Sequence, residues 1–302
     1  MATSSQVSAQ PQIRIGNIGV LTDFSEAAKS ALRYAAAFAR AYGSGITLAH
    51  AYIPPSFAYA APEVSLVYEA MDDLQQSLEK ELVDQAKSEC LSGIQCKTVL
   101  RMGGPKDLLE NLSGMDLIVV GTKGESGIEK FALGSTAEAI FRSCAAPVLT
   151  VGPHCRPTAG PESFVKTILY ATDFSYGAEV ALPYALSFAR KFGAELVLLY
   201  AADDEDVSFS FERAMASERP LEKLRELAPG VEGDHVVGFG PAAAVILDEA
   251  ASRKADFIAL GARGRGRLST GLSHFGGGTA YEVAAKATCP VLTVRKPQPQ
   301  RT

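Results

Sequence analysis

The sequence has no tryptophan and only four histidines and five cysteines among 302 residues. The cysteines are scattered and odd in number: Cys90, Cys96, Cys144, Cys155 and Cys289. None belongs to a Cys-x-x-Cys pair, a pattern that favours separate thiols in a reducing compartment over a disulfide framework. The histidines show no metal-ligand spacing, so we expect no zinc site.

Long apolar runs are also missing, and none approaches the ~18–20 residues that span a bilayer. Residues 1–12 are polar, so we expect a disordered tail there and not a secretory signal peptide. The net charge of −5 lacks the basic excess that a nucleic-acid binder needs to neutralise phosphates. These absences predict a soluble, cytoplasmic protein with neither nucleic acid nor membrane as a partner.

An internal repeat is the most informative feature that is present. Residues 22–25 and 172–175 both read Thr-Asp-Phe-Ser, and residues 147–151 and 290–294 both read Pro-Val-Leu-Thr-Val. A repeat of about 145 residues is too long for a solenoid unit and matches one ordinary domain. The sequence therefore predicts two copies of one domain, at 13–151 and 164–294, joined by a Pro- and Gly-containing linker at 152–163.

Apolar runs of strand length alternate with segments of helical periodicity through both halves. The predicted strands are 13–22, 46–52, 96–101, 117–120, 148–151, 165–171, 195–201, 234–238, 256–260 and 290–294. The predicted helices are 26–42, 66–90, 106–112, 135–143, 176–192, 209–227, 242–253 and 279–287. This alternation is typical of an α/β protein with doubly wound parallel sheets. Pro105 to Gly121 spans 16 positions and Pro241 to Gly261 spans 20, so the first half is expected to lack about one helical turn there.

The loop after the fourth strand is the strongest candidate for a binding site, because ligands of open α/β sheets bind beyond the carboxyl ends of the strands. It contains Gly121 and Gly124, then Gly134, Ser135 and Thr136 at the start of a helix. Glycine backbone, hydroxyl groups and a helix N-terminus together would hold phosphates. A competing interpretation is that Ser135 merely caps the helix, since Ser135-x-x-Glu138 fits a capping box.

Two other phosphate motifs are excluded, because no Gly-Lys-[Ser/Thr] follows the first strand and the turn at 21–26 has no glycine. That turn instead carries Asp23. Asp23 is expected either to cap the following helix, as Ser25 also could, or to accept hydrogen bonds from the hydroxyls or amines of a ligand. Lys123 is cationic and near the phosphate loop, but a loop lysine is usually only solvated.

These motifs resemble the universal stress protein (UspA-like) family over both halves. The spacing of Gly121, Gly124, Gly134 and Ser135 fits that family's Gly-x2-Gly-x9-Gly-[Ser/Thr] signature for ATP. The resemblance implies tandem Rossmann-like domains of the adenine-nucleotide alpha-hydrolase kind and an ATP cofactor, with or without Mg²⁺. It assigns the adenine and ribose to Thr22, Asp23 and the backbone of Ala51, and the phosphates to Gly121, Gly124, Gly134, Ser135 and Thr136.

The resemblance also concerns assembly. Single-domain members of the family dimerise largely through their last strands, so the tandem chain is expected to pair residues 148–151 with 291–294 within itself. A further homodimer stays open.

The second half departs from the signature. Asp173, Gly261 and Gly264 are in place, but the ninth residue after Gly264 is followed by His274 and not by glycine. The nearest equivalents are Gly278 and Thr279, with the capping-box pattern Thr279-x-x-Glu282, although counting back from the last strand pairs Gly134 with Gly277. Arg263, Arg265 and Arg267 lie in this loop and would either bind an anion or be solvated. Tyr200 also replaces the histidine that the first half has at His50. The second site is expected to be altered, differently selective or empty.

Three functions remain open at this level. The first is a nucleotide-dependent stress or regulatory module that binds ATP and turns it over little. The second is a true enzyme, such as a slow Mg²⁺-dependent ATPase or a phosphoryl-transfer protein. The third is an interaction protein whose second half binds no nucleotide. Residues 203–206 read Asp-Asp-Glu-Asp, but they lack the spacing and glycine of a calcium loop, so a solvated loop is favoured there over a cation site.

Overall fold

A computed structural model describes residues 13–54, 64–122, 133–156, 165–202, 210–229, 233–262 and 278–295. The strands of the first half are β1 (Asn17–Leu21), β2 (Gly45–Tyr52), β3 (Cys96–Met102), β4 (Leu117–Gly121) and β5 (Val148–Val151). Its helices are α1 (Glu26–Tyr42), α2 (Val64–Ala86), α3 (Pro105–Asn111) and α4 (Ser135–Ser143), with a 3-10 turn at Glu89–Leu91.

The second half repeats this order. Its strands are β6 (Thr167–Thr172), β7 (Glu195–Ala202), β8 (Gly233–Phe239), β9 (Phe257–Gly261) and β10 (Val291–Val294). Its helices are α5 (Tyr176–Glu179), α6 (Leu182–Phe192), α7 (Ser210–Leu227), α8 (Ala242–Ser252) and α9 (Thr279–Lys286). The predicted fold class, two tandem doubly wound α/β domains, is confirmed.

All ten strands form one sheet in the order β3-β2-β1-β4-β5-β10-β9-β6-β7-β8. Within each half the neighbouring strands are parallel. The halves meet where β5 and β10 pair antiparallel, with Leu149 opposite Leu292. On either side of this pair, the Thr150 hydroxyl donates to the carbonyl of Val291 at 3.2 Å and the Thr293 hydroxyl donates to that of Val148 at 3.3 Å.

Two apolar cores lie on opposite faces of the sheet, and each extends through both halves. One core contains buried residues of α1, α2, α6 and α7, and the other contains buried residues of α3, α4, α8 and α9. In the first core Phe38 and Phe188 pack edge to face across the boundary, with their ring centroids 5.2 Å apart. Both rings are almost fully buried, so the two halves share a continuous interior and are not merely tethered.

Helix α1 shows why the predicted bounds are reliable where local signals agree. The Ser25 hydroxyl accepts from the backbone N–H of Ala28 and so caps the N-terminus. A stripe of small and aromatic residues faces the core. Gly43 ends the helix in the left-handed region at φ 70°, which glycine adopts at no steric cost.

The corresponding segment of the second half is not one helix, and the prediction of a single helix over 176–192 is wrong. It divides into α5 and α6, with Pro183 in the first turn of α6. Proline has no N–H and its ring clashes with the carbonyl four residues earlier, so it is accommodated where a helix begins. The predicted shortening of the first half is found further along, since α3 has 7 residues and α8 has 11. Among the described residues, no helix is both long enough and apolar enough to cross a membrane.

Candidate functional site

The strand order places one topological switch point in each half. In the first half β1 lies between β2 and β4, so the chain leaves β1 on one side and returns on the other. In the second half β6 lies in the same way between β7 and β9. Ligands of open α/β sheets bind at such points, outside the carboxyl ends of the strands. The candidate residues after β1, β4, β6 and β9 therefore lie at the edge of the sheet where a ligand is expected.

The turn after β1 presents one carboxylate to solvent. Asp23 is exposed, and its Oδ1 accepts from the backbone N–H of Ser25 at 3.1 Å and from the Ser25 hydroxyl at 2.5 Å. Because Ser25 is the N-cap of α1, the interpretation of Asp23 as the cap is wrong. Phe24 between them has a φ of 65°, an uncommon conformation for a non-glycine residue. The turn thus fixes Asp23 at the switch point with a second carboxylate oxygen available to a ligand.

Thr22 shapes this turn from inside. Its buried hydroxyl donates to Oε1 of Gln85 at 2.9 Å and accepts from the backbone N–H of Phe24 at 3.0 Å. Its backbone N–H donates to the carbonyl of Ala49, and its own carbonyl lies 2.7 Å from Nδ1 of His50. The polar groups of Thr22 are thus used within the protein and support the turn that carries Asp23.

The end of β2 forms the neighbouring wall. The His50 ring lies against that of Phe24, with the centroids 4.7 Å apart. Ala51 follows it and is half-buried, in register with Arg101 of β3. The backbone of Ala51 is thus at the carboxyl edge, two strands from Gly121, and the family resemblance assigns the base of a nucleotide to it.

Gly121, at the end of β4, is required by packing as well as by any ligand. A Cβ here would lie 2.8 Å from the carbonyl carbon of Ala27 and 2.9 Å from its oxygen. The backbone of the first turn of α1 therefore rests directly on this glycine. Part of the signature spacing has a structural cause, which is the close approach of a helix start to a strand end.

Helix α4 begins with Gly134 as its N-cap and has exposed Ser135 and Thr136 in its first turn. The Gly134 N–H donates to the carbonyl of Thr122 at 2.6 Å, which ties the helix start to the end of β4. The capping-box interpretation of Ser135 is wrong, because Ser135 lies inside the helix and Glu138 pairs with Arg142 at 2.8 Å. The cap has no side chain to occupy the first-turn N–H groups, so they are suited to an anion. Lys123 and Gly124 lie outside the described residues.

The second half builds the same turn after β6. The Asp173 carboxylate accepts from the backbone N–H of Ser175 at 2.9 Å, and the Ser175 hydroxyl caps α5. Phe174 has a φ of 56°. Its ring stacks on that of Tyr200 at 4.8 Å, so Tyr200 occupies the place that His50 has in the first half. The replacement keeps the aromatic contact of this turn.

A cavity of about 320 Å³ lies at this second switch point. Its lining comes from the ends of β6, β7, β9 and β10 and from the starts of α5, α8 and α9, and it includes Thr172, Asp173, Ala201, Gly261, Gly278 and Thr279. Gly261 has an even closer neighbour than Gly121, since a Cβ there would lie 1.9 Å from the carbonyl oxygen of Gly177. The predicted residues of the second half that the structure describes are thus brought together around one cavity.

Gly278 is the N-cap of α9, as Gly134 is of α4, although α9 has eight residues and α4 has nine. The two N-caps therefore correspond in position, which favours pairing Gly134 with Gly278. The capping-box interpretation of Thr279 is also wrong, because Glu282 pairs with Lys286 at 2.6 Å. Gly264 and the loop arginines, Arg263, Arg265 and Arg267, lie outside the described residues, as does the acidic run 203–206.

Two side chains at this cavity were missed by sequence reasoning. Phe141 belongs to α4 of the first half, and Arg295 directly follows β10. The Arg295 guanidinium donates to the carbonyl of Phe141 and lies over its ring at 5.6 Å from the centroid. Arg295 could have been found by comparing the two repeats, because the residue that follows Pro-Val-Leu-Thr-Val is Gly152 in the first half and Arg295 in the second.

In the part of the chain that is described, no group of three or more His, Cys, Asp or Glu side chains is arranged to hold a metal ion. The buried thiols are likewise unsuited to reaction. Burial raises the pKa of both Cys155 and Cys289 to about 12, which keeps them protonated near neutral pH.

Comparison with known proteins agrees with this architecture. The family model described as the universal stress protein family matches residues 14–152 and 165–295. The chain therefore belongs to the universal stress protein family, with two copies of its domain.

Several relatives have the same tandem length. A universal stress protein of Mycolicibacterium smegmatis is 28% identical over 297 residues, which cover 92% of this chain and 97% of that protein. One from Mycobacterium tuberculosis is 27% identical over 303 residues, which cover 93% and 97%. Among solved structures, the crystal structure of a universal stress protein from Archaeoglobus fulgidus superposes with a TM-score of 0.69 at 22% identity and covers 92% of this chain and 98% of that one. At this identity the likeness shows the fold alone.

Proposed function

We propose that this protein is a nucleotide-dependent stress-response module that binds ATP at the switch point of its first half and hydrolyses it slowly or not at all. The observation that carries this proposal is the hydrogen bond from the Gly134 N–H to the carbonyl of Thr122. It holds the start of α4 against the end of β4, the strand next to β1 and Asp23. The N-terminus of α4, with its partial positive charge, and the Asp23 carboxylate thus follow the carboxyl ends of two neighbouring strands.

The chemistry of the two ends suits the two ends of a nucleotide. Backbone N–H groups and the hydroxyls of Ser135 and Thr136 would hold phosphates, aided by the partial positive charge of the helix N-terminus. The Asp23 carboxylate would accept from ribose hydroxyls. Mg²⁺ would enter with the phosphates, because it is usually held by substrate oxygens and one or two carboxylates and not by a full protein cage.

Slow turnover is expected from the side chains that the proposed site offers to the phosphates. Among the predicted site residues of the first half that the structure describes, Asp23 is the one carboxylate, and Nδ1 of His50 lies 2.7 Å from the carbonyl of Thr22. Rapid hydrolysis needs a group that orients the attacking water and cations that stabilise the transferring phosphoryl group. The alternative, a Mg²⁺-dependent ATPase or phosphoryl-transfer enzyme, predicts turnover that collapses in Asp23→Ala. A cytoplasmic location belongs to this proposal, since unpaired thiols suit a reducing compartment.

Isothermal titration calorimetry with ATP and Mg²⁺ tests the proposal, using the wild type, Gly134→Val and the matched control Gly278→Val. A β-branched side chain at Gly134 would cover the N-terminus of α4, and a Cβ at the control position Gly278 would meet nothing within 4 Å. We expect one ATP per chain to be lost in Gly134→Val and kept in Gly278→Val. Circular dichroism melts check that both variants fold. A stoichiometry near two would mean that the second half also binds ATP. Equal ATP binding by Gly134→Val and the wild type would overturn the assignment of the site to the first half.

A further inference from the structure

The hydroxyl of Thr122 is buried at the end of β4. Thr122 directly follows that strand, and only 1% of its surface is exposed. Its Oγ1 finds no hydrogen-bond partner among the residues that the structure describes. A buried hydroxyl without a partner costs free energy, and native proteins satisfy the great majority of such groups with protein atoms or with ordered water. The burial of this hydroxyl therefore indicates a small polar partner that is not part of the chain.

Three polar atoms converge on the space beside Gly152, the buried residue that directly follows β5. A Cβ built on Gly152 would lie 3.3 Å from the carbonyl oxygen of Ala287, 3.7 Å from Oγ1 of Thr122 and 3.8 Å from Sγ of Cys155. The hydroxyl and the thiol can each donate or accept, and the carbonyl can accept. A space bounded by two to four hydrogen-bonding groups is typical of a buried water site.

The equivalent position of the second half is built differently. Ala262 follows β9 as Thr122 follows β4, and the backbone N–H of each donates to the last residue of the neighbouring strand, at 2.8 and 3.0 Å. Ala262 has no hydroxyl, and the residue that follows β10 is Arg295 in place of Gly152. The hydroxyl and the glycine thus occur together in one half and are both replaced in the other. This agrees with their belonging to one site.

We infer that the Thr122 hydroxyl, the Ala287 carbonyl and the Cys155 thiol bind one buried water molecule, which joins the two halves. Ala287 is the C-cap of α9, and the carbonyl of Thr122 accepts the N–H of Gly134, the N-cap of α4. The water thus links the start of a first-half helix to the end of a second-half helix. That the start of α4 meets phosphates rests on the proposed function, whereas the water site does not.

A crystal structure of the wild type without nucleotide tests the site directly. We expect density for one ordered water within about 3.2 Å of both Oγ1 of Thr122 and the carbonyl oxygen of Ala287. The same density should be lost in Thr122→Val. A protein group bonded to the Thr122 hydroxyl, or no density beside it, would overturn the inference.

Urea unfolding without nucleotide gives a second test, in which Thr122→Val keeps the shape of the side chain and removes the hydroxyl. Thr150→Val is the matched control, because the Thr150 hydroxyl has a direct partner in the carbonyl of Val291. We expect each variant to raise the equilibrium constant for unfolding about fivefold. Unchanged or greater stability of Thr122→Val would contradict the inference, since replacing an unpaired buried hydroxyl by a methyl group is neutral or stabilising.

Gly152→Ala completes a double-mutant cycle with Thr122→Val, because its methyl group would displace the same water. We expect the double variant to raise the equilibrium constant for unfolding by clearly less than the product of the two single effects. Single effects that simply multiply would count against a shared water. Since all these measurements are made without nucleotide, a failure to bind ATP would leave the water site standing, and the loss of the water site would leave the ATP proposal untouched.

Discussion

Replacing Gly261 by alanine is the sharpest test of the packing argument. A Cβ at Gly261 would lie 1.9 Å from the carbonyl oxygen of Gly177 and 2.7 Å from Cα of Ala178. Both neighbours are backbone atoms of α5, so relief requires the helix to move. Reaching an ordinary contact of 3.4 Å takes a shift of about 1.5 Å, and insertion of extra atoms into a well-packed interior typically costs 1–3 kcal/mol and occasionally more. We expect Gly261→Ala to lower the free energy of unfolding by about 3 kcal/mol.

Gly121→Ala provides an internal scale, because its Cβ would meet Ala27 at 2.8 Å and needs a shift of only about 0.6 Å. We expect a loss of about 1–2 kcal/mol for this variant. Gly45→Ala is the control, since its Cβ would lie 3.7 Å from the carbonyl oxygen of Gln95, and its effect should stay within about 0.5 kcal/mol.

Urea unfolding followed by far-ultraviolet circular dichroism measures all three variants, because the protein has no tryptophan to report by fluorescence. If the halves unfold as units of about 150 residues, 3 kcal/mol corresponds to a fall in Tm of about 6–12 °C. Equal stability of Gly261→Ala and Gly45→Ala would refute the packing account of the signature glycines. It would leave close ligand approach as the reason for them.

Three further predictions concern stability and the thiols. Burial raises the pKa of Tyr170 to about 12. The phenol is neutral in both the folded and the unfolded protein below pH 10, so the stability that it contributes is complete there and is lost as the pH rises from 10 to 12. The urea midpoint of Tyr170→Phe should therefore fall less than that of the wild type between pH 9 and pH 11. Thr150→Val and Thr293→Val should each cost about 1 kcal/mol, because each removes one equivalent buried hydrogen bond between the halves, and clearly unequal losses would contradict that equivalence. A thiol reagent at pH 8 should react with at most two of the five cysteines in the native protein, since three are buried, and with all five in denaturant; rapid labelling of Cys155 or Cys289 would show that the boundary between the halves opens.

Features set by neighbouring residues were predictable from the sequence. The bounds of α1 and α4 were predicted to the residue because a stripe of apolar side chains coincides with local start and stop signals. The repeat and the alternation of strands and helices were enough for the fold class. Local chemistry also misled in one respect. Ser135 and Thr279 satisfy a capping-box pattern, yet the glycine before each is the cap. Glu138 and Glu282 instead pair with cations one turn further along.

What could not be predicted depends on contacts between distant segments. Phe141 and Arg295 are 154 residues apart and meet because β5 and β10 pair antiparallel, which brings the end of α4 beside the residue that follows β10. No local pattern marks either residue as part of a cavity. The break between α5 and α6 was missed for a different reason, since an apolar stripe at helical spacing outweighed the signal of Pro183.

A crystal structure of the full chain with ATP and Mg²⁺ tests the central claim most directly. The account predicts density for an adenine nucleotide at the switch point of the first half, with its ribose at Asp23 and its phosphates at the N–H groups of Ser135 and Thr136. A nucleotide seated elsewhere on the first half, or a first half that stays empty at millimolar ATP, would contradict it.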